Sequence, residues 1–161
     1  MSLVEMTRGD SPVILSFPHT GTEVPRRIWE RLNENGRILA DTDWHVHRLY
    51  LFEGRLPDFN IGTDHGVTCD PAIEGAVVAV TRSAPGFDTV LNGRFRGGWT
   101  TRHYGRPKAG VHTIQMELAQ STYLSAESPP FDYDVQKATA LRRTLKDILE
   151  GLARIAVELK R

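Results

Sequence analysis

Apolar residues in this chain fall into short runs and helical stripes separated by polar, glycine-containing stretches. Val13-Ile14-Leu15-Ser16-Phe17, closed by Pro18, predicts a buried strand. Pro25 can open a helix without losing a needed N–H. Ile28, Trp29 and Leu32 give that helix one apolar stripe, and Gly36 stops it. Asp41-Thr42-Asp43 then resembles a cap for a helical pattern of Trp44, Val46, His47 and Leu49 to Phe52. Phe59-Asn60-Ile61-Gly62 predicts a second strand. After a polar stretch to Cys69, Asp70-Pro71 reads as N-cap and first position of a helix carrying Ile73, Val77, Val78 and Val80. The segment from Asp88 to Gly110 has weak periodicity and predicts a short strand or loop near a pocket, whereas residues 112–118 alternate, with Ile114, Met116 and Leu118 on one face. Val135, Ala138, Leu141, Leu145, Ile148, Leu149, Leu152, Ile155, Ala156 and Leu159 repeat at three and four and describe a long amphipathic helix. Strands alternating with helices predict an α/β layered fold, a mostly parallel sheet flanked by helices, with ligands gathering at the carboxyl ends of strands. No repeat or interdomain linker stands out, so one domain over residues 1–161 is expected.

Composition narrows the function classes. Lys plus Arg number 20 and Asp plus Glu number 20, which leaves no general electrostatic attraction to nucleic acid or to an anionic membrane. At 40% hydrophobic and 25% charged residues the chain has the composition of a globular domain. Cys69 is alone, which excludes an internal disulfide and suits a reducing compartment. Residues 1–12 lack a basic stretch followed by an apolar run, and 18 uninterrupted apolar residues occur nowhere, so a soluble, cytoplasmic protein is expected.

Four places carry candidate chemistry. His19 follows an apolar strand and Pro18, at a strand end where a neutral imidazole makes a well-held metal ligand; hydrogen bonding to a turn is the other reading. Asp41 and Asp43 precede Trp44-His45-Val46-His47 and suit either a divalent ion or a helix cap. His45 and His47 lie two apart and cannot form a joint ligand pair on one helix. Glu117 sits on an otherwise apolar strand near its carboxyl end, on the same face as Gln115. It is either a solvent-facing strand residue or a base that takes a proton from water and passes it to a leaving amine. Between Asn92 and Pro107, four arginines stand among glycines and aromatics, a pattern that suits an acidic ligand or a plain basic surface loop.

Longer runs then point to a family. Ser16-Phe17-Pro18-His19-Thr20-Gly21-Thr22-Glu23-Val24-Pro25 and Asp41-Thr42-Asp43-Trp44-His45-Val46 resemble amino-terminal motifs of N-formylglutamate amidohydrolases. Asp58-Phe59-Asn60-Ile61-Gly62-Thr63, Asn92-Gly93-Arg94-Phe95, Thr101-Arg102-His103-Tyr104-Gly105-Arg106-Pro107 and residues 111–120 resemble that family's carboxyl-terminal half. The resemblance implies a fold similar to zinc-dependent exopeptidases, but shortened, and the step of histidine degradation in which N-formyl-L-glutamate and water give formate and L-glutamate. It also implies a divalent metal, zinc, with His19 and Asp43 as ligands, Glu117 as the base, and Arg94, Arg102 and His103 near a small acidic N-acyl amino acid substrate. In the family a long central segment separates the Asp-Thr-Asp-Trp-His motif from the Leu-Pro-Asp-Phe-Asn motif, whereas here residues 48–55 alone join them. That segment supplies relatives with an Asp-x-His-Ser strand end, a further metal ligand, and an Asn-Arg pair suited to a substrate carboxylate. His103 or His65 is the replacement ligand on offer in this chain. A shortened, catalytically impaired relative that binds a small acid or a protein is the alternative. Loss of internal strands also exposes sheet edges, so self-association into a homo-oligomer is expected.

Overall fold

A computed structural model describes Met6 and residues 8–14, 24–37, 56–128 and 130–159. The chain divides into two compact units, Met1–Arg55 and Leu56–Arg161, the boundary falling at the end of the 48–55 stretch. In the first unit the expected helix from Pro25 is two one-turn helices, α1 (Arg26–Trp29) and α2 (Glu34–Arg37). Its intended stripe gains little burial, since Ile28 and Trp29 are exposed, and a helix without packing on an apolar face is marginal at this length. Val13 and Ile14 are in no strand, and Ile14 is exposed; residues 15–17 and the helix expected after Asp43 lie outside the described residues.

The second unit contains the sheet. Strands β1 (Phe59–Gly62), β2 (Thr89–Leu91) and β3 (Gln115–Leu118) lie in the order β2-β1-β3, with α3 (Pro71–Ser83) between β1 and β2 in sequence. β1 and β2 are parallel, joined by the helical crossover that such a pair requires. β3, however, runs antiparallel to β1, so the mostly parallel sheet expected from the sequence is a small mixed one. The reason is the route between β2 and β3. It contains only the six-residue helix α4 (Trp99–Tyr104) and a 3-10 turn, Pro107–Ala109, rather than a helix spanning the sheet.

Alternation divides the sheet into an apolar and a polar face. Phe59 opposes Leu118 and Ile61 opposes Met116, and these side chains meet Val77 and Val78 of α3 and Leu141 and Ile148 of α5 (Val135–Glu158). Phe59 and Ile61 are fully buried, and Phe59 packs edge to face on Phe87 with ring centroids 5.4 Å apart. Both long helices are capped, the first as read from the sequence and the second by an aspartate that the sequence reading did not single out. Asp70 accepts from Ala72 N at 2.8 Å with Pro71 following, and Asp134 accepts from Gln136 N and Lys137 N at 2.9 and 3.0 Å. The α5 stripe is covered from Ala138 to Leu152, while Val135 and Leu159 at its ends are exposed. Twenty-four helical residues extend about 36 Å at 1.5 Å each, against about 13 Å for a four-residue strand, so the helix overhangs its sheet. No helix among the described residues is long and apolar enough to cross a membrane.

Phe59 is the largest fully buried side chain in the central strand. Phe59→Ala is expected to lower the stability by about 3–5 kcal/mol in urea unfolding, and a loss below 1 kcal/mol would contradict a core centred on β1.

Candidate active site

The polar face of the sheet carries Asn60 and Gly62 on β1 opposite Glu117 and Gln115 on β3. A loop after β2 lies against this face, and its position follows from what Gly62 lacks. A Cβ at position 62 would stand 2.6 Å from Gly97 N, 2.8 Å from the Arg96 carbonyl carbon and 2.8 Å from Phe95 O. All three are backbone atoms, so the strand and the loop meet backbone to backbone, and any side chain would force them apart.

Hydrogen bonds fix that approach. Asn92, in the left-handed region at φ 50°, donates its N–H to Ile61 O at 2.7 Å; its Oδ1 accepts from Thr63 N at 2.9 Å and its Nδ2 donates to Thr63 Oγ1 at 2.8 Å. Thr63 Oγ1 in turn donates to Glu74 of α3, and Asp64 N donates to Arg96 O. Gly98 N donates to Gln115 Oε1 at 2.6 Å, and Gln115 Nε2 donates to Glu117 Oε1 at 2.7 Å. Arg102 of α4 donates to Gly97 O from the other side. A second close approach seats α4: a Cβ on Gly105 would meet Thr113 Oγ1 and Thr68 Cβ, both at 2.8 Å, and Thr113 Oγ1 donates to Thr101 O at 2.7 Å.

These contacts place the residues singled out from the sequence. Glu117 is half-buried and accepts a hydrogen bond, so it is not a freely solvated strand residue. Because β3 is antiparallel, its carboxyl end lies beside the amino end of β1, and Glu117 is one pleat from the strand ends where the loops gather. Gln115, opposite Gly62, spans that interval. Arg102 joins the same hydrogen-bonded chain through Gly97 O, while Arg94 is exposed within the loop. His103 is stacked on the exposed Trp99, ring centroids 4.2 Å apart and 13° from parallel, with Tyr104 edge-on at 4.8 Å. His65 is exposed in the turn after β1, where Asp64, His65 and Gly66 all have positive φ. His19, Asp41, Asp43, His45 and His47 lie outside the described residues. Among the described residues no three His, Cys, Asp or Glu side chains converge as a metal site, so His65, His103 and Glu117 do not by themselves make one.

Sequence reasoning passed over Asn60, Thr63, Glu74 and the bridging role of Gln115. Asn60 is buried with Nδ2 donating to Pro57 O at 2.6 Å, and its Oδ1 has no hydrogen-bond partner among the described residues, a cost of about 1–3 kcal/mol that core residues rarely carry. The signals were an amide in a buried strand, an Asn-Gly turn at 92–93, and a glutamine two residues before a glutamate. Cys69 is not a nucleophile: burial first, then Glu74 and Asp70, push its thiol up to about 11, so it stays protonated at neutral pH.

Gly62→Ala is expected to push the 95–97 backbone off the strand and to lower stability by about 1–3 kcal/mol in urea unfolding. A Gly62→Ala chain as stable as the parent would contradict the direct backbone contact.

Residues 50–124 match the family model for N-formylglutamate amidohydrolase, a span that holds β1, the 92–98 loop, α4 and β3. An N-formylglutamate deformylase of Pseudomonas aeruginosa is 48% identical over 114 residues, covering 68% of this chain and 42% of that protein. One from Pseudomonas putida is 43% identical over 141 residues, covering 84% of this chain and 51% of that protein. The crystal structure of N-formylglutamate amidohydrolase from Ralstonia eutropha superposes with a TM-score of 0.53 at 25% identity, covering 68% of this chain and 36% of that one. The chain thus spans about half the length, or less, of the relatives it matches. Within that span, this chain is similar to N-formylglutamate amidohydrolases and deformylases.

Proposed function

We propose that this chain hydrolyses the formamide bond of N-formyl-L-glutamate, or of a closely similar small acidic N-acyl amino acid, with Glu117 as the base. The observation that carries this is the half-buried Glu117 carboxylate, tied through Gln115 to a loop bearing Arg94 and leading into Arg102 and His103. The names of the deformylase relatives supply the substrate class.

Formamide hydrolysis needs three things from a protein. Water must lose a proton as it attacks the formyl carbon, the leaving nitrogen must gain one, and the substrate's carboxylates must be held. Glu117 can perform the first two in turn, with Oε1 held by Gln115 while the carboxylate takes the water's proton and then delivers it to the departing amine. Arg94 and Arg102 offer guanidinium forks for the carboxylates. Arg102 spends one donor on Gly97 O, which orients its plane. His103 is kept in place by its stack on Trp99 and offers a ring nitrogen beside the same loop. We assign a divalent metal, zinc, to His19 and Asp43, which with a further protein ligand give the three that a catalytic zinc takes. Such an ion would supply Lewis-acid polarisation of a carbonyl oxygen. The exopeptidase-like fold, the place in histidine degradation and a cytoplasmic location belong to the same reading.

A second reading follows from length. The chain spans 42% and 51% of the two deformylases, so a shortened binding module that holds a small acid without turnover is the competing function. Self-association through the edge strands β2 and β3 accompanies it.

Formate release from N-formyl-L-glutamate by zinc-supplied protein separates the two. The hydrolytic reading expects turnover that falls about 10²–10⁴-fold in Glu117→Gln, the range for loss of a general base. Calorimetric binding of N-formyl-L-glutamate without any formate release would instead establish the binding module.

A further inference from the structure

Gln115 makes two hydrogen bonds that no other side chain of its size could make together. Its Oε1 accepts the Gly98 N–H at 2.6 Å, and its Nε2 donates to Glu117 Oε1 at 2.7 Å. A carboxamide has a donor and an acceptor at opposite corners of one plane. Residues two apart on a strand share a face, about 6.6–6.8 Å apart at the backbone, a distance that glutamine spans and asparagine does not. The first contact ends on the loop, at the residue next to Gly97, whose carbonyl accepts from Arg102. The second ends on the carboxylate. The chain Arg102, Gly97-Gly98, Gln115, Glu117 is therefore continuous from the arginine-bearing helix to the base.

We infer that Gln115 is a positioning residue that sets the Glu117 carboxylate according to where the 92–98 loop lies. The inference rests on Glu117 being the base. The bond from Gln115 occupies Oε1 and fixes the plane of the carboxylate, which presents Oε2 for proton transfer. Gly62 makes the same requirement from below, since it holds the loop backbone against β1 at the height where Gly98 meets Gln115. A shift of the loop would break the Gly98 bond, free the carboxamide to turn, and release the carboxylate plane. Loop position and base orientation are thereby one variable rather than two.

The test uses ¹⁵N-labelled full chain and reads the Gly98 backbone amide, which does not touch Glu117 but touches Gln115. Glu117→Ala is expected to shift the Gly98 cross-peak in the parent and to leave it unmoved in a Gln115→Leu background. Gln115→Glu retains the acceptor for Gly98 and loses the donor for Glu117. It should keep a native-like Gly98 cross-peak and dispersed spectrum while kcat for formate release falls about 10- to 100-fold, the usual cost of removing an orienting partner, with KM unchanged. A Gly98 amide that ignores Glu117→Ala, or that responds equally with leucine at 115, overturns the inference. So does parental kcat in Gln115→Glu. Absence of formate release from the parent chain is a different result: it removes Glu117 as base, while the Gly98 response still decides whether Gln115 couples loop to carboxylate.

Discussion

The meeting of two backbones at Gly62 is the contact on which the rest of the site depends. Because position 62 has no Cβ, the 95–97 segment can lie on β1, and Gly98 then falls within reach of Gln115. From there the hydrogen bonds run to Glu117 on one side and, through Gly97 O, to Arg102 on the other. Asn92 and Thr63 fasten the start of the same loop with reciprocal amide and hydroxyl contacts, and Glu74 ties that knot to α3. The geometry of the base is thus inherited from a close approach between glycine-rich backbone and strand, with side chains filling in afterwards.

The sheet separates this machinery from the parts that hold it. On one face, Phe59, Ile61, Met116 and Leu118 pack against α3 and α5 and supply the stability. On the other, the same two strands present Asn60, Gln115 and Glu117, and the buried Asn60 acceptor has no partner among the described residues. Period two does this with no further device, since each residue turned away from the core is turned toward the loop. Among the described residues, three strands carry this core, and α5 is longer than any of them.

Elements with strong patterning were legible in the sequence. The strand at 59–62, the Asp70-Pro71 start of α3 and the long helix from Val135 appear where periodicity or a cap put them, and of the strand expected over 112–118 the part from Gln115 to Leu118 is strand. The direction of β3 was not legible, because strand direction is set by the length and path of the connection rather than by the strand's own residues. The single helix from Pro25 also failed, since its stripe of Ile28 and Trp29 lacks the burial that would extend it. In the site, Glu117 stood out as a charge on an apolar strand, and the arginine loop by composition. The bridge through Gln115 and the clip by Asn92 depend on register between β1 and β3 and on positive φ at a turn, which residue types alone do not specify.

The account rests on Glu117 taking and returning a proton, and chemical rescue tests that step directly. With zinc-supplied Glu117→Ala, added acetate should restore part of the formate release from N-formyl-L-glutamate in proportion to its concentration, and should leave the parent chain unaffected. Formate release by Glu117→Ala at the parental rate, or a dead variant that no small carboxylate revives while the parent turns over, would contradict it.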